Sequence, residues 1–288
     1  MPSSKWVYGL PVGLLLFTSC RSAQAGILWA QDFNQIATGS NYADQTTLSN
    51  VAGTSDDVGL RTGGANSNFA VVDRGNGDRA LQLLDNDSSQ STFPKANSAN
   101  FSGTMSTGGT GNNFLTGGFT YTRLLSQTSN STSPAFAFTA TAPGSASGFD
   151  LELTVESNGH LFYYNGNTKT DSGFTLATNT EYAFQINADL SSSTQDKWSL
   201  KVTPVGSQTP SVNVANLNTM GANFSIVQFS FWGGLNQTAV NSSGFGQIDN
   251  INFVAQPVPE PAVAGVFIAA AGGALARRKR RNPTPSLN

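Results

Sequence analysis

Residues 26–256 of this 288-residue chain predict an all-β fold built as a two-sheet sandwich, on three observations. Apolar and polar residues alternate with a period of two in segment after segment, the pattern of a strand with one buried face. No amphipathic helix of useful length occurs between Gly26 and Gln256. The composition of the whole chain is rich in Gly, Ser, Thr and Asn, only 11% charged, and includes 19 phenylalanines. Small polar residues suit turns and solvent-facing strand positions, and the aromatics suit a core. About ten or more short strands, each with one apolar face, need a second sheet to cover that face. A right-handed β-helix would also suit the composition, but no regular repeat supports it.

The first 25 residues are expected to leave the mature protein. Lys5 supplies a positive start, Val7 to Phe17 an apolar stretch, and Ala23-Gln24-Ala25 a small-x-small cleavage site. Together these describe a secretory signal peptide, so the mature chain is expected to begin at Gly26. Cys20, the only cysteine, lies before that site, in a Phe-Thr-Ser-Cys context that is loosely similar to a lipoprotein box. Cleavage after Ala25 leaves an exported chain without disulfides.

Strands then follow in order, as candidates at Ile27 to Phe33, Ala80 to Leu84, Gly117 to Leu125 and Ala135 to Thr141. In Phe149 to Glu156, the residues Phe149, Leu151, Leu153 and Val155 share one face, and Asp150, Glu152, Thr154 and Glu156 the other. Ser157-Asn158-Gly159 supplies a hairpin turn into His160 to Tyr164, and Asn165-Gly166 a second one, because Asn-Gly accepts positive φ. Alternation returns at Tyr182 to Ala188, Trp198 to Val202, Val227 to Phe231 and Gly246 to Phe253. No Pro-rich or charged linker divides the region, which is expected to be one domain.

The run Phe149 to Pro204 resembles the middle of a concanavalin A-like or laminin G-like jelly roll. The likeness is carried by the strands through Tyr163-Tyr164-Asn165-Gly166, by Glu181 to Asp189 and by Trp198-Ser199-Leu200-Lys201-Val202. Gly246 to Phe253 is similar to the closing strand of carbohydrate-binding jelly rolls. That resemblance implies a structural calcium near the termini, held by Asp249 with Asp32. Asp73 to Asp78 and Asp85-Asn86-Asp87 also cluster oxygen ligands, though outside any EF-hand pattern.

Three further positions invite chemistry. Trp232 falls on the parity opposite Phe229 and Phe231, so its indole is expected to face out of the sheet and stack on a sugar ring, with Tyr163 or Tyr164 assisting. Asp150, Glu152 and Glu156 share a face with same-face neighbours ~7 Å apart, a spacing open to paired-carboxylate glycoside hydrolysis. The order Asp-x-Glu-x-Thr-x-Glu nevertheless departs from the Glu-x-Asp-x-Glu of laminarinase-type enzymes, and a solvated polar face is the expected reading. His160, the only histidine, has no Gly-x-Ser-x-Gly elbow to serve and no second histidine or mature-chain cysteine for zinc.

The C-terminal end is the most specific part of the sequence. Val258-Pro259-Glu260-Pro261 precedes the apolar run Ala262 to Ala276 and the basic cluster Arg277-Arg278-Lys279-Arg280-Arg281, with Asn282 to Asn288 as a tail. The run is short for a hydrocarbon core, which takes roughly 20 residues, but flanking arginines can snorkel to the headgroups. The cations favour the cytoplasmic side and place the bulk of the chain outside. Residues 257–281 closely resemble the PEP-CTERM sorting signal of bacteria that make exopolysaccharide. The resemblance implies recognition and cutting near Pro-Glu-Pro by an exosortase-type membrane transpeptidase. An ordinary tail anchor would account for the apolar helix and the cations but not for Pro-Glu-Pro.

Eight of the 15 Lys and Arg and 16 of the 17 Asp and Glu lie in residues 26–256, so the exported part carries a net charge of −8 behind the formal total of −2. That surface argues against nucleic acid and against anionic polysaccharide unless divalent cations bridge them. The expectation is an exported protein, anchored at the envelope and then released to the cell surface or matrix, structural or polysaccharide-binding and without catalysis of its own. The competing class is a secreted glycosidase or polysaccharide lyase on the same fold. Mass spectrometry of the mature C-terminal peptide from cells and medium is expected to find an end near Pro-Glu-Pro; an intact Asn288 would leave a plain anchor.

Overall fold

The computed structural model describes residues 26–42, 47–48, 58–61, 67–85, 95–98, 114–124, 135–139, 149–156, 158–190, 195–220, 228–232 and 241–256. The signal peptide, the Pro-Glu-Pro motif, the apolar run and the basic cluster lie outside them. Among the described residues no helix is long and apolar enough to cross a membrane.

In chain order the strands are β1 (Gly26–Gln31), β2 (Gly39–Tyr42), β3 (Thr47–Leu48), β4 (Val58–Arg61), β5 (Ser67–Gly75) and β6 (Asp78–Asp85). Next come β7 (Lys95–Ser98), β8 (Phe114–Arg123), β9 (Ala135–Thr139), β10 (Phe149–Val155), β11 (His160–Asn165) and β12 (Thr168–Thr175). The last five are β13 (Glu181–Asp189), β14 (Lys197–Pro204), β15 (Val212–Asn218), β16 (Gln228–Trp232) and β17 (Asn241–Gln256). One sheet runs β15-β14-β13-β8-β17-β6-β5-β2, with β1 paired to β17 as a ninth strand; the other runs β12-β11-β10-β9-β16-β7-β4-β3. The fold is thus the two-sheet all-β sandwich that the alternation predicts.

Period two decides what each sheet buries. On β13, Tyr182, Phe184, Ile186 and Ala188 are buried, as are Trp198, Leu200 and Val202 on β14. From the second sheet Leu151, Leu153, Val155, Leu161, Phe229 and Phe231 join the same core. The sheets meet through aromatic rings. Phe229 of β16, 1% exposed, lies 5.3 Å from Trp29, 5.4 Å from Phe119 and 5.2 Å from Phe253, all residues of the first sheet. Tyr121 of β8 meets Phe231 edge-on at 6.4 Å.

Turns set the registers. Asn76 and Gly77, at φ of 57° and 80°, join β5 to β6 in a two-residue hairpin of the type I′ kind. Between β10 and β11 Gly159 is left-handed (φ 92°), and the amide of Gly159 donates to the carbonyl of Glu156 at 2.7 Å. The loop therefore lies between Glu156 and His160, the three positions that Ser157-Asn158-Gly159 predicts, with the positive φ on Gly159 and not on Asn158. A Cβ on Gly159 would also lie 2.6 Å from the guanidinium of Arg123. The next hairpin turns on Gly166 and Asn167, since Asn165 pairs with Thr168, one residue later than Asn165-Gly166 predicts. This second turn also clasps the two sheets together: Gly166 donates to the carbonyl of Asn218 at 2.9 Å, and the amide of Asn218 donates to Oδ1 of Asn165 at 2.8 Å. Trp198 Nε1 donates to that same carbonyl at 3.1 Å.

Phe229→Ala removes the ring that three partners from the opposite sheet share. Its expected cost is about 3–5 kcal/mol, read as a lower denaturant midpoint with an unchanged slope; a cost within ~1 kcal/mol would show that the ring does not bind the sheets together.

Candidate functional site

The edge of the second sheet formed by β10, β11 and β12 turns chemically active residues outward. Leu161 is buried in the core and Tyr163 packs against it, so period two sends His160, Phe162 and Tyr164 to the opposite face. Phe162 and Tyr164 are half-buried there, on positions where a solvated strand would carry small polar side chains. Thr154 of β10 pairs with Phe162, and one pair further along the same register Glu152 comes beside Tyr164. On the other side Tyr164 pairs with Lys169 and Phe162 with Asp171.

Lys169 holds this face together. Its Nζ lies 4.4 Å from the centre of the Phe162 ring, a cation–π contact, and donates to Oε1 of Glu156 at 2.9 Å. His160 Nδ1 lies 3.5 Å from Oδ2 of Asp171, an ion pair only when the imidazole is protonated. Burial pushes the Glu152 carboxyl up to about 7, against the pull of Lys169. Burial, then the Glu152 charge, also raises the Tyr164 phenol. A carboxyl poised near neutrality, a phenol and an ammonium thus border two aromatic rings.

A second charged cluster lies on the outward face of the first sheet. Arg74 on β5, 17% exposed, reaches Asp249 on β17 at 2.5 Å, Glu181 on β13 at 2.9 Å and Asp78 on β6 at 2.9 Å. Burial raises the Asp249 carboxyl to about 7; the Asn250 backbone and Arg74 oppose the rise, while Asp78 and Glu181 add to it. Every nitrogen of this guanidinium faces one of the chain's own carboxylates, so the cluster is better equipped to join four strands than to take a ligand.

The sequence-derived positions distribute as follows. Asp249, expected as a calcium ligand, has its Oδ2 against Arg74 and its carboxylate 0% exposed. Asp32 is exposed, and its Oδ1 accepts the Asn34 amide at 3.1 Å. No cluster of three potential metal-binding side chains occurs among the described residues. Asp73 to Asp78 forms the β5–β6 hairpin, where Asp73 accepts the Gly75 amide at 2.7 Å and Asp78 pairs with Arg74. Of the two tyrosines, Tyr163 packs inward and Tyr164 outward. Trp232 ends β16, in register with Lys95 and Ala135. Ser230, of the same parity, is 0% exposed, and the side chain of Trp232 lies outside the described residues. The half-buried rings of Phe162 and Tyr164 lie three strands away, on β11.

Sequence reasoning passed over Phe162, Lys169 and Arg74. The signal for Phe162 was present in His160-Leu161-Phe162-Tyr163-Tyr164: a run of large residues through a strand must send rings to both faces. Lys169 and Arg74 carry no local pattern, because their partners are set by pairing between strands.

No family model matches this chain, and no curated protein matches it. Among solved structures it is similar to an alginate lyase from Aplysia kurodai (10% identity, TM-score 0.46, covering 65% of this chain and 87% of that one). It is also similar to the calcium-bound exoplasmic domain of VIP36 (8%, TM-score 0.46, 73% and 88%). A third is lectin II from Ulex europaeus (8%, TM-score 0.43, 76% and 97%).

The Glu152 shift has a definite sign. Its folded pKa exceeds the unfolded value, so it contributes stability fully present below about pH 4.5 and lost as pH rises through about 7. Glu152→Gln, neutral throughout, is therefore expected to melt above the parent at pH 8 and close to it at pH 5. An equal gap at both pH values would contradict the assignment.

Proposed function

We propose that this chain is an exported, non-catalytic envelope or matrix protein that binds polysaccharide through the outward face of β10, β11 and β12, and that its C-terminal motif makes it an exosortase substrate. The observation that carries the binding half is the outward row His160, Phe162 and Tyr164, with two half-buried rings beside Glu152 and Lys169. A pyranose presents C–H groups on its faces and hydroxyls around its rim. Aromatic rings accept the first, and carboxyl and ammonium groups bond the second. The net charge of −8 on residues 26–256 favours neutral glycans, or anionic ones bridged by divalent cations. The sorting half rests on Pro259, Glu260 and Pro261 standing before an apolar run and five cations.

One observation favours a second reading. A carboxyl near pH 7 beside a phenol and an ammonium is the disposition of an acid–base pair, as a glycosidase or polysaccharide lyase on this fold would need.

Affinity electrophoresis of the full chain in gels containing neutral polysaccharides separates these readings. Phe162→Ala and Tyr164→Ala are each expected to weaken retardation by about 2- to 10-fold, the range for one lost ring contact. Retardation that both variants leave unchanged would refute the binding face. Shortened glycan products that vanish with Glu152→Gln would establish the enzyme instead.

A further inference from the structure

β17 changes neighbour half-way along. Up to Ile248 it pairs with β6, through Leu81; from Ile251 it pairs with β1, through Gln31. Between these points neither Asp249 nor Asn250 has a residue in register on that side, and the pairing with β8 also slips between Asp249 and Asn252. The sheet is therefore notched where one strand stops and the next begins. The notch is a cavity of about 470 Å³ lined by Ala30, Gln31, Asp32, Asn250, Ile251 and Asn252.

Its walls are held from several sides. Arg79 of β6 donates its amide to Oδ1 of Asn34 at 2.8 Å and its guanidinium to the carbonyl of Ile36, which fixes the segment after β1 against β6. Gln31 is buried, with Oε1 accepting the Phe33 amide at 2.7 Å. Asn250 is left-handed (φ 50°) and exposed, as Asp32 and Asn252 are exposed.

The geometry points to this notch as a binding pocket for one neutral sugar residue, separate from the face on β11. The volume lies within the range of small-ligand pockets, roughly 300–1,000 Å³. Asn252 offers an amide donor and acceptor and Asp32 carboxylate acceptors, while Asn250, whose amide also donates to Oγ1 of Thr120 at 3.4 Å, adds its carbonyl oxygen; together these suit adjacent sugar hydroxyls. Ala30, on the same face as Asn252, supplies a small apolar surface for a C–H face, while Ile251 beneath belongs to the core. No lining residue is cationic, so an anionic ligand has no counter-charge. One carboxylate is too few for a hard cation, which takes about six to eight oxygen ligands, commonly several carboxylates. A chain with sites on both sheets can bridge two glycans.

Saturation-transfer NMR with the full chain tests this, using the methyl glycosides of glucose, galactose, mannose and N-acetylglucosamine as probes. Asn250→Gly keeps the left-handed backbone unstrained while removing the amide, and Asn252→Ala alters an exposed position. At least one glycoside is expected to receive saturation. The measurement is made in the Phe162→Ala/Tyr164→Ala background, which removes the β11 face; there the affinity should fall by tenfold or more when Asn250→Gly/Asn252→Ala is added, and stay unchanged on adding EDTA. Transfer to no glycoside, or transfer that survives Asn250→Gly/Asn252→Ala, overturns the pocket. Loss in the Phe162/Tyr164 variant overturns it in favour of the β11 face, and loss with EDTA overturns it in favour of a bound cation.

Discussion

The layer of aromatic rings between the sheets is the constraint from which the rest follows. Phe229 projects from one sheet into the space bounded by Trp29, Phe119 and Phe253 of the other, while Phe119 stacks on Phe184 at 5.0 Å. Rings of this size interlock in few ways, and a strand that slipped by one residue would exchange its buried and exposed faces entirely. With the inward set fixed, the outward set is fixed too. Leu161 in the core and Tyr163 against it oblige β11 to show His160, Phe162 and Tyr164 to the outside. The candidate site is in this sense a by-product of the core.

Charge is used differently on the two outer faces. On the first sheet, Arg74 gathers three carboxylates from three other strands, tying together residues as distant in sequence as Arg74 and Asp249. On the second sheet, Lys169 is shared between the Phe162 ring and Glu156, and Glu152 stands half-buried nearby. Two carboxyls, one on each face, consequently titrate near neutral pH, and for both the first cause is burial.

Much of the fold was legible in the sequence, because alternation is a local property that burial enforces directly. Ala135 to Thr141, Phe149 to Glu156, Tyr182 to Ala188 and Trp198 to Val202 all became strands with boundaries shifted by at most a few residues. β2, β3, β4, β5, β7, β12 and β15 were less visible. β12, with only Phe174 packed against the core, shows almost no apolar alternation and takes its place by pairing with β11. The turns were legible in kind and only partly in register, since Asn-Gly announces a hairpin without fixing which residues take positive φ. The site was partly legible: Tyr164 and Glu152 were named, whereas Phe162, Lys169 and the notch beside Asn250 depend on strand pairing. Trp232 is placed by the parity of β16 alone, since its side chain lies outside the described residues.

If the core fixes a glycan-binding face on β11, the contact must be visible residue by residue. Titrating the isotopically labelled full chain with a neutral oligosaccharide that it retains, and following backbone amides and aromatic side chains by NMR, tests this most directly. The account predicts shifts concentrated on His160, Phe162, Tyr164, Lys169 and Glu152, with the Phe229 layer undisturbed. Binding that perturbs neither β10, β11 nor β12 would contradict it.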